Sequence, residues 1–285
     1  MTFLHGHAMP GHNLHAHHAH KHAHHHFHHI VIDGTGTKSY ATVEQYEVAV
    51  VSQLQRIHNS HTGQAVFREF AHHSKHLMTI VPYEGAQLNA FAGAKDLSHA
   101  TARGQAERSG RDGHLLLDAA GKPIFGKGGG SDSDVSFTPV MFSKFCSQKK
   151  AGHKSGAQPD EVLFHEMVHA ARQMRGLLNP VPLGYLYDTE EEFYAILIAN
   201  IYASETGRTI DLRSDHHGFE HLTADTTAKF LPKKDPADYR YQLIDKLVHK
   251  EPLLAHDLAR LKLVPFNPIR RYFELQHTSV HVHSL

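Results

Sequence analysis

Two histidines four residues apart enclose a glutamate in His165-Glu166-Met167-Val168-His169, the strongest chemical signal in the chain. On a helix, residues four apart stand on one face, so both imidazoles can point at one ion. Neutral imidazole is a good zinc ligand, and a carboxylate beside it can take a proton from water held near the ion. The spacing predicts His165 and His169 as zinc ligands and Glu166 as general base. A catalytic zinc takes a third protein ligand and keeps one position for water. Glu190, Glu191 and Glu192 lie downstream, at the mouth of a segment that is apolar on every side from Phe193 to Ala199, which predicts a buried helix. Thr189 and Glu192 form one capping-box pattern there, and Asp188 and Glu191 another, so periodicity leaves Glu191 and Glu192 as alternatives for the ligand.

The chain holds 31 His, so a chance occurrence of this spacing is the first competitor. The flanks argue against chance. Pro159-Asp160 offers an N-cap, followed by Glu161 in the first turn, where a carboxylate suits the helix dipole. Val162, Leu163, Met167, Ala170, Ala171 and Met174 supply an apolar stripe. Arg172 and Arg175 suit a last turn, and Gly176 is a natural stop.

Around this helix the pattern is mixed. Val31-Ile32 reads as a short strand before a turn, and Thr42 to His58 as a helix with Val43, Tyr46, Val50, Leu54 and Ile57 on one face. Thr62-Gly63 is expected to break it, with a second helix over Gln64–His73 and a strand over Leu77–Pro82. Leu115–Leu117 and Pro123–Phe125 read as a hairpin. Asp134–Val140 alternates as a strand, and 147–158 as a polar loop. Tyr239–His249 and Leu253–Leu261 read as helices joined at Pro252, which either pack on the core or bind substrate. The expected fold class is α+β: a small mixed sheet over the active helix and a mainly helical C-terminal part.

The chain has 285 residues, 40% of them hydrophobic, and a formal net charge of zero. Nothing argues for nucleic acid or an anionic membrane. No apolar run is long enough to span a bilayer, and the start lacks a signal-peptide pattern, so neither membrane insertion nor classical secretion is expected. Cys146 is the single cysteine, and Phe142–Cys146 reads as a loop or packing position rather than a nucleophile's setting. Residues 1–29 hold 13 His among Ala and Gly with almost no large aliphatics. They are expected to be a disordered leader with loose zinc or nickel affinity, and 30–285 the catalytic domain.

The His165–His169 motif followed by Glu192-Phe193-Tyr194-Ala195 resembles the gluzincins, most closely the catalytic motif of anthrax lethal factor. The resemblance implies Glu192 as third ligand and Tyr185 as catalytic tyrosine. A broader similarity covers about 130–222. Gly130–Pro139, Asn200-Ile201-Tyr202, Ser204-Glu205 and Leu212–His216 are similar to NleD-type zinc endopeptidase effectors. It implies a zincin-like fold and a zinc metallopeptidase exported by a non-classical bacterial secretion system. Such a toxin acts on a protein in a target cell, with host cytoplasm as the expected place. A monomer is expected, with a secretion-system component or chaperone as candidate partner. In zincins a strand before the active helix lines the cleft, and its free edge pairs with extended substrate. That makes Val135, Ser136 and Phe137 candidate substrate-binding residues. Arg213 and His216, with His217, are candidates for a transition-state donor or a clamp on a substrate carboxylate, against the plainer reading as loop residues. Tyr187 is a further candidate for the oxyanion, and Glu205 an alternative ligand. The rival functions are a non-enzymatic His-rich protein with a structural zinc site, and a zinc amidase acting on peptidoglycan.

Overall fold

Apolar side chains from Phe27 to Tyr272 meet in one continuous buried cluster, and the elements are arranged around it. The computed structural model describes residues 27–73, 75–109, 113–147, 155–184, 187–216, 219–223 and 226–278. In order these form β1 (Ile30–Ile32), α1 (Val43–His58), α2 (His61–His73), β2 (Met78–Val81), β3 (Phe91–Ala94), α3 (Leu97–Ala100), β4 (Ser133–Ser136), α4 (Pro139–Ser147) and α5 (Pro159–Met174). There follow α6 (Glu190–Glu205), a 3-10 turn at Thr209–Asp211, α7 (Thr227–Phe230), α8 (Tyr239–Lys250), α9 (Pro252–Ala259) and α10 (Pro268–Thr278). The fold is α+β. The leader expected over 1–29 lies outside the described residues as far as residue 26. Phe27 is buried and stacks on Phe67 at 5.3 Å, so packed structure reaches back at least to Phe27, before Ile30.

Local chemistry explains the first helices. Thr42 caps α1 by accepting from the Gln45 N–H, Glu44 sits in the first turn, and Arg56 and His58 in the last. The chain turns at Asn59-Ser60 rather than at Thr62-Gly63, because Ser60 Oγ accepts from the Gly63 N–H and starts α2 there. Gly63 is needed for another reason: a Cβ at this position would lie 1.9 Å from the Ile57 carbonyl oxygen.

The sheet has the order β1-β2-β4-β3. β1, β2 and β4 run parallel, with Ile32 opposite Ile80 and Ile80 opposite Val135. β3 runs antiparallel to β4, with Ala92 opposite Val135. Beneath the sheet lies α5, every side chain of which is buried, flanked by α6. The expected strand at 134–140 is shorter than its alternation suggests, because Pro139 opens α4, and Cys146 lies in that helix rather than in a loop. β3 and α10 were not anticipated. The C-terminal helices pack on the core: Arg68 pairs with Asp257 at 2.7 Å and Lys246 with Glu190 at 2.8 Å.

Candidate active site

A helix buried on all sides is usually apolar throughout, yet α5 buries Asp160, Glu161, His165, Glu166, His169, Arg172 and Gln173. Each must find a partner or carry an energetic penalty. Its first turn shows how. Gln158 is the N-cap and Pro159 occupies N1, so Asp160 is inside the helix, not the cap expected from sequence. Glu161 accepts from the Gln158 N–H at 3.0 Å, and Asp160 binds Tyr202 Oη at 2.6 Å and Arg208 at 2.8 Å.

One turn further on, the two motif histidines converge. His165 Nε2 and His169 Nε2 lie 3.1 Å apart, with ring planes at 86°. The Glu192 carboxylate spans both: Oε2 is 3.2 Å from His165 Nε2 and Oε1 is 3.3 Å from His169 Nε2. Thr189 Oγ1 still accepts the Glu192 backbone N–H, but the Glu192 side chain does not return to Thr189, so only half of the capping box forms. Glu191 is turned the other way. It accepts from Arg172 Nε at 2.9 and 3.0 Å and from the Asn179 N–H at 3.0 Å, and lies 3.4 Å from His169 Nδ1. The expectation that one of the pair would cap the helix is corrected: the N–H groups of Glu190 and Glu191 are capped by the carbonyls of Val181 and Asn179. Both carboxylates are free to turn toward α5.

A third imidazole joins from the loop after α6. His216 Nε2 is 3.4 Å from Glu192 Oε2, its ring stacks on His165 at 6.2 Å, and its Nδ1 is 2.7 Å from Asp188 Oδ2. His165, Glu192 and His216 each offer a ligand atom within 4.8 Å of the others. Asp188 has φ of 46°, a left-handed backbone that aspartate tolerates better than most residues. Arg213 holds this loop. Its backbone exchanges two 2.8 Å bonds with the Asn200 amide, and its guanidinium donates to the carbonyls of Asp215 and His216 over the Phe219 ring. Arg213 is therefore a buried support for His216. That gives it a structural role beside its reading as a residue that binds substrate, with Nε and Nη2 engaged by the loop.

The electrostatics favour a cation. Burial pulls the His165 imidazole down to about 3, leaving it neutral with a lone pair to give. Burial alone would raise the Glu192 carboxyl, but His169 and His165 outweigh it and hold Glu192 well below the usual range. Burial opposes charge on His169 as well, and Glu192 and Glu191 overcome it, driving the imidazole well above its ordinary value. Burial raises Glu166 to about 7, against the pull of His169. His165 Nδ1 and Glu192 Oε2 are buried and have no hydrogen-bond partner among the described residues. An anionic oxygen between two imidazole nitrogens, unsatisfied by either, fits a bound divalent ion. The donor set also fits: imidazole and carboxylate suit zinc.

Further expectations concern the surroundings of this cluster. β4 pairs with β2 on one side and β3 on the other, and Val135 and Phe137 are fully buried, so the strand has no free edge for substrate. Val135, Ser136 and Phe137 are corrected as substrate-binding residues on that ground. The edge strands are β1 and β3; against burial, the Ala92 backbone of β3 lowers the Glu166 carboxyl, and the Ala92 carbonyl accepts from Gln173 Nε2 at 3.0 Å. Tyr185 and His217 lie outside the described residues. Tyr187 is core, its ring edge-on to Phe193 at 5.1 Å and its phenol raised by burial. Glu205 accepts from the His61 and Thr62 N–H groups at 2.7 and 2.8 Å and caps α2, far from the histidines. Sequence reasoning missed Asp188 as partner of His216 and Arg172 as partner of Glu191. Neither has a local signal, because each pairs across elements.

A model of the Peptidase_M91 family, described as effector protein, matches residues 17–196. That span takes in His165, Glu166, His169, Glu191 and Glu192 and ends before His216. A search of curated proteins finds no match to this chain. The match extends over more than half of the chain and contains the whole converging cluster of α5 and α6, and on that basis the chain belongs to the Peptidase_M91 family of effector proteins.

Proposed function

We propose that this peptidase is a zinc-dependent endopeptidase effector, with His165, His169 and Glu192 holding the metal. The observation that carries the reading is the meeting of two Nε2 atoms and one carboxylate within 3.1 to 3.3 Å on two buried helices. When bound, zinc supplies a Lewis acid and lowers the pKa of water toward neutrality. The protein's own groups do the rest. Glu166, with a carboxyl near 7, can take a proton from the attacking water and return it to the leaving nitrogen at neutral pH. His216, whose Nδ1–H is held by Asp188, can in its imidazolium form donate from Nε2 to the carbonyl oxygen as negative charge develops there. Tyr185 is the alternative donor by resemblance. In this reading an extended substrate pairs with β3, an edge strand and the one beside Glu166.

As an effector peptidase the protein takes a protein substrate. Delivery by a specialised secretion system and action as a monomer in the target cell follow from the family resemblance. No helix among the described residues is long and apolar enough to cross a membrane.

The position of His216 also supports a second reading, in which it is a fourth ligand and the zinc site is structural. Metal analysis of the purified chain, followed by comparison of protein termini in target-cell lysate with and without it, decides between the two. Zinc with new termini supports the peptidase, and zinc without them the closed site. No zinc sinks both.

A further inference from the structure

A row of buried charges begins behind His169 and passes through one residue, Glu251, that lies beyond the family-matched segment. Glu191 accepts from Arg172 Nε, and Arg172 reaches Glu251 through Nη1 and the Leu177 carbonyl through Nη2 at 3.0 Å. Glu251 also holds Arg175 Nη1 at 2.9 Å, and Arg175 pairs with Glu69. The signs alternate along the whole row. Its members come from α6, α5, the junction of α8 and α9, and α2. Glu251 is 1% exposed.

We propose that Glu251 is a positioning residue of the metal site, acting through Arg172 and Glu191 on His169. The inference rests on the reading of His165, His169 and Glu192 as zinc ligands. A carboxylate on Nδ1 fixes the tautomer that presents the Nε2 lone pair to a metal and raises its basicity. Glu191 does this only while its charge is shared between His169 and Arg172. Glu251 takes up the far arm of the Arg172 fork. Without it, Arg172 and the C-cap residue Arg175 stand three residues apart at the end of α5 as like charges in a poorly screened interior. Arg172 then has Glu191 as its one acidic partner among the contacts described, and draws that carboxylate off the imidazole. The α8–α9 junction is thus part of the working site, although it lies far outside residues 17–196.

The control is built into the same row. Glu69 meets Arg175 but not Arg172, so Glu69→Gln breaks a neighbouring buried pair and leaves the link to His169 intact. The experiment is chelator competition for zinc on the full chain, with thermal unfolding alongside. Wild type is expected to bind one zinc, and His169→Ala to lose it. Glu251→Gln should weaken zinc binding about tenfold or more, the range seen when a partner behind a metal ligand is removed. Glu69→Gln should lower Tm yet keep the wild-type affinity within about twofold. Unchanged affinity in Glu251→Gln, or an equal loss in both variants, overturns the proposal and leaves the metal site standing. A wild type that binds no zinc overturns the metal site instead. Should Glu251→Gln fail to fold, Glu251→Asp keeps the charge and withdraws it by one methylene. It is read by the same criterion.

Discussion

Glu191 Oε1 lies 3.4 Å from His169 Nδ1, on the side of the ring away from the Nε2 atoms that converge with Glu192. Two consecutive glutamates thus address the two nitrogens of one imidazole, and their substitutions should differ in kind. Glu192→Ala removes a ligand and should weaken zinc binding at least about tenfold. Glu191→Ala leaves the Arg172 guanidinium buried without its partner. The expectation from capping alone is a loss of about 1 kcal/mol or less. The buried ion pair raises it to about 3–5 kcal/mol, with a secondary loss of zinc affinity. Urea unfolding and chelator competition on both variants test this; a Glu191→Ala protein as stable as wild type contradicts it.

Glu166→Ala should retain zinc and fold while losing peptide hydrolysis, because it removes the base and no ligand. Single-turnover cleavage of a substrate peptide, with metal content measured on the same sample, is the check. Most of the activity surviving in the variant would remove Glu166 from its role.

His216→Ala separates the two readings of the third imidazole. As donor to the developing oxyanion it should lower kcat about a hundredfold or more with zinc affinity unchanged. As fourth ligand it should lower zinc affinity. Asp188→Asn should act in the same direction and more weakly, since it loosens the ring without removing it. Tyr185→Phe, measured beside them, shows which donor the reaction uses.

If the site holds zinc as proposed, its removal should destabilise the chain as well as silence it, because such an ion binds the folded site and not the unfolded chain. The expected result is a lower Tm in chelator, restored by zinc in a concentration-dependent way. An unchanged Tm would mean that α5 and α6 hold together without the ion.

Cys146 should be nearly inert in the native protein. Burial and the neighbouring Glu161 raise its thiol from 9.0 to about 11, and its sulfur lies 3.1 Å from the Ala157 carbonyl oxygen. At pH 8 that cuts the thiolate fraction about a hundredfold. Alkylation by iodoacetamide should be slower by about that factor than in the denatured chain, and equal rates would refute the assignment.

Much of the site was legible because it is local. The spacing of His165 and His169, the stop at Gly176, and the apolar run after Glu192 each report on one helix, and a helix sets its own periodicity. The α+β class followed from elements of the same local kind. What the sequence left open was which element meets which. Consecutive residues on α6 differ by about 100°, so the choice between Glu191 and Glu192 depends on how α6 is rotated against α5. β3 escaped notice because Phe-Ala-Gly-Ala has little strand propensity of its own. It becomes a strand by pairing with β4, and that pairing moves the free edge away from Val135. His216, Asp188, Arg172 and Glu251 come together from separate segments, through charges and hydrogen bonds that carry no period along the chain. Residue types and spacing determined the chemistry available to this protein. Only the tertiary structure decided which carboxylate faces the histidines, because the partners of buried polar groups are chosen by packing across elements.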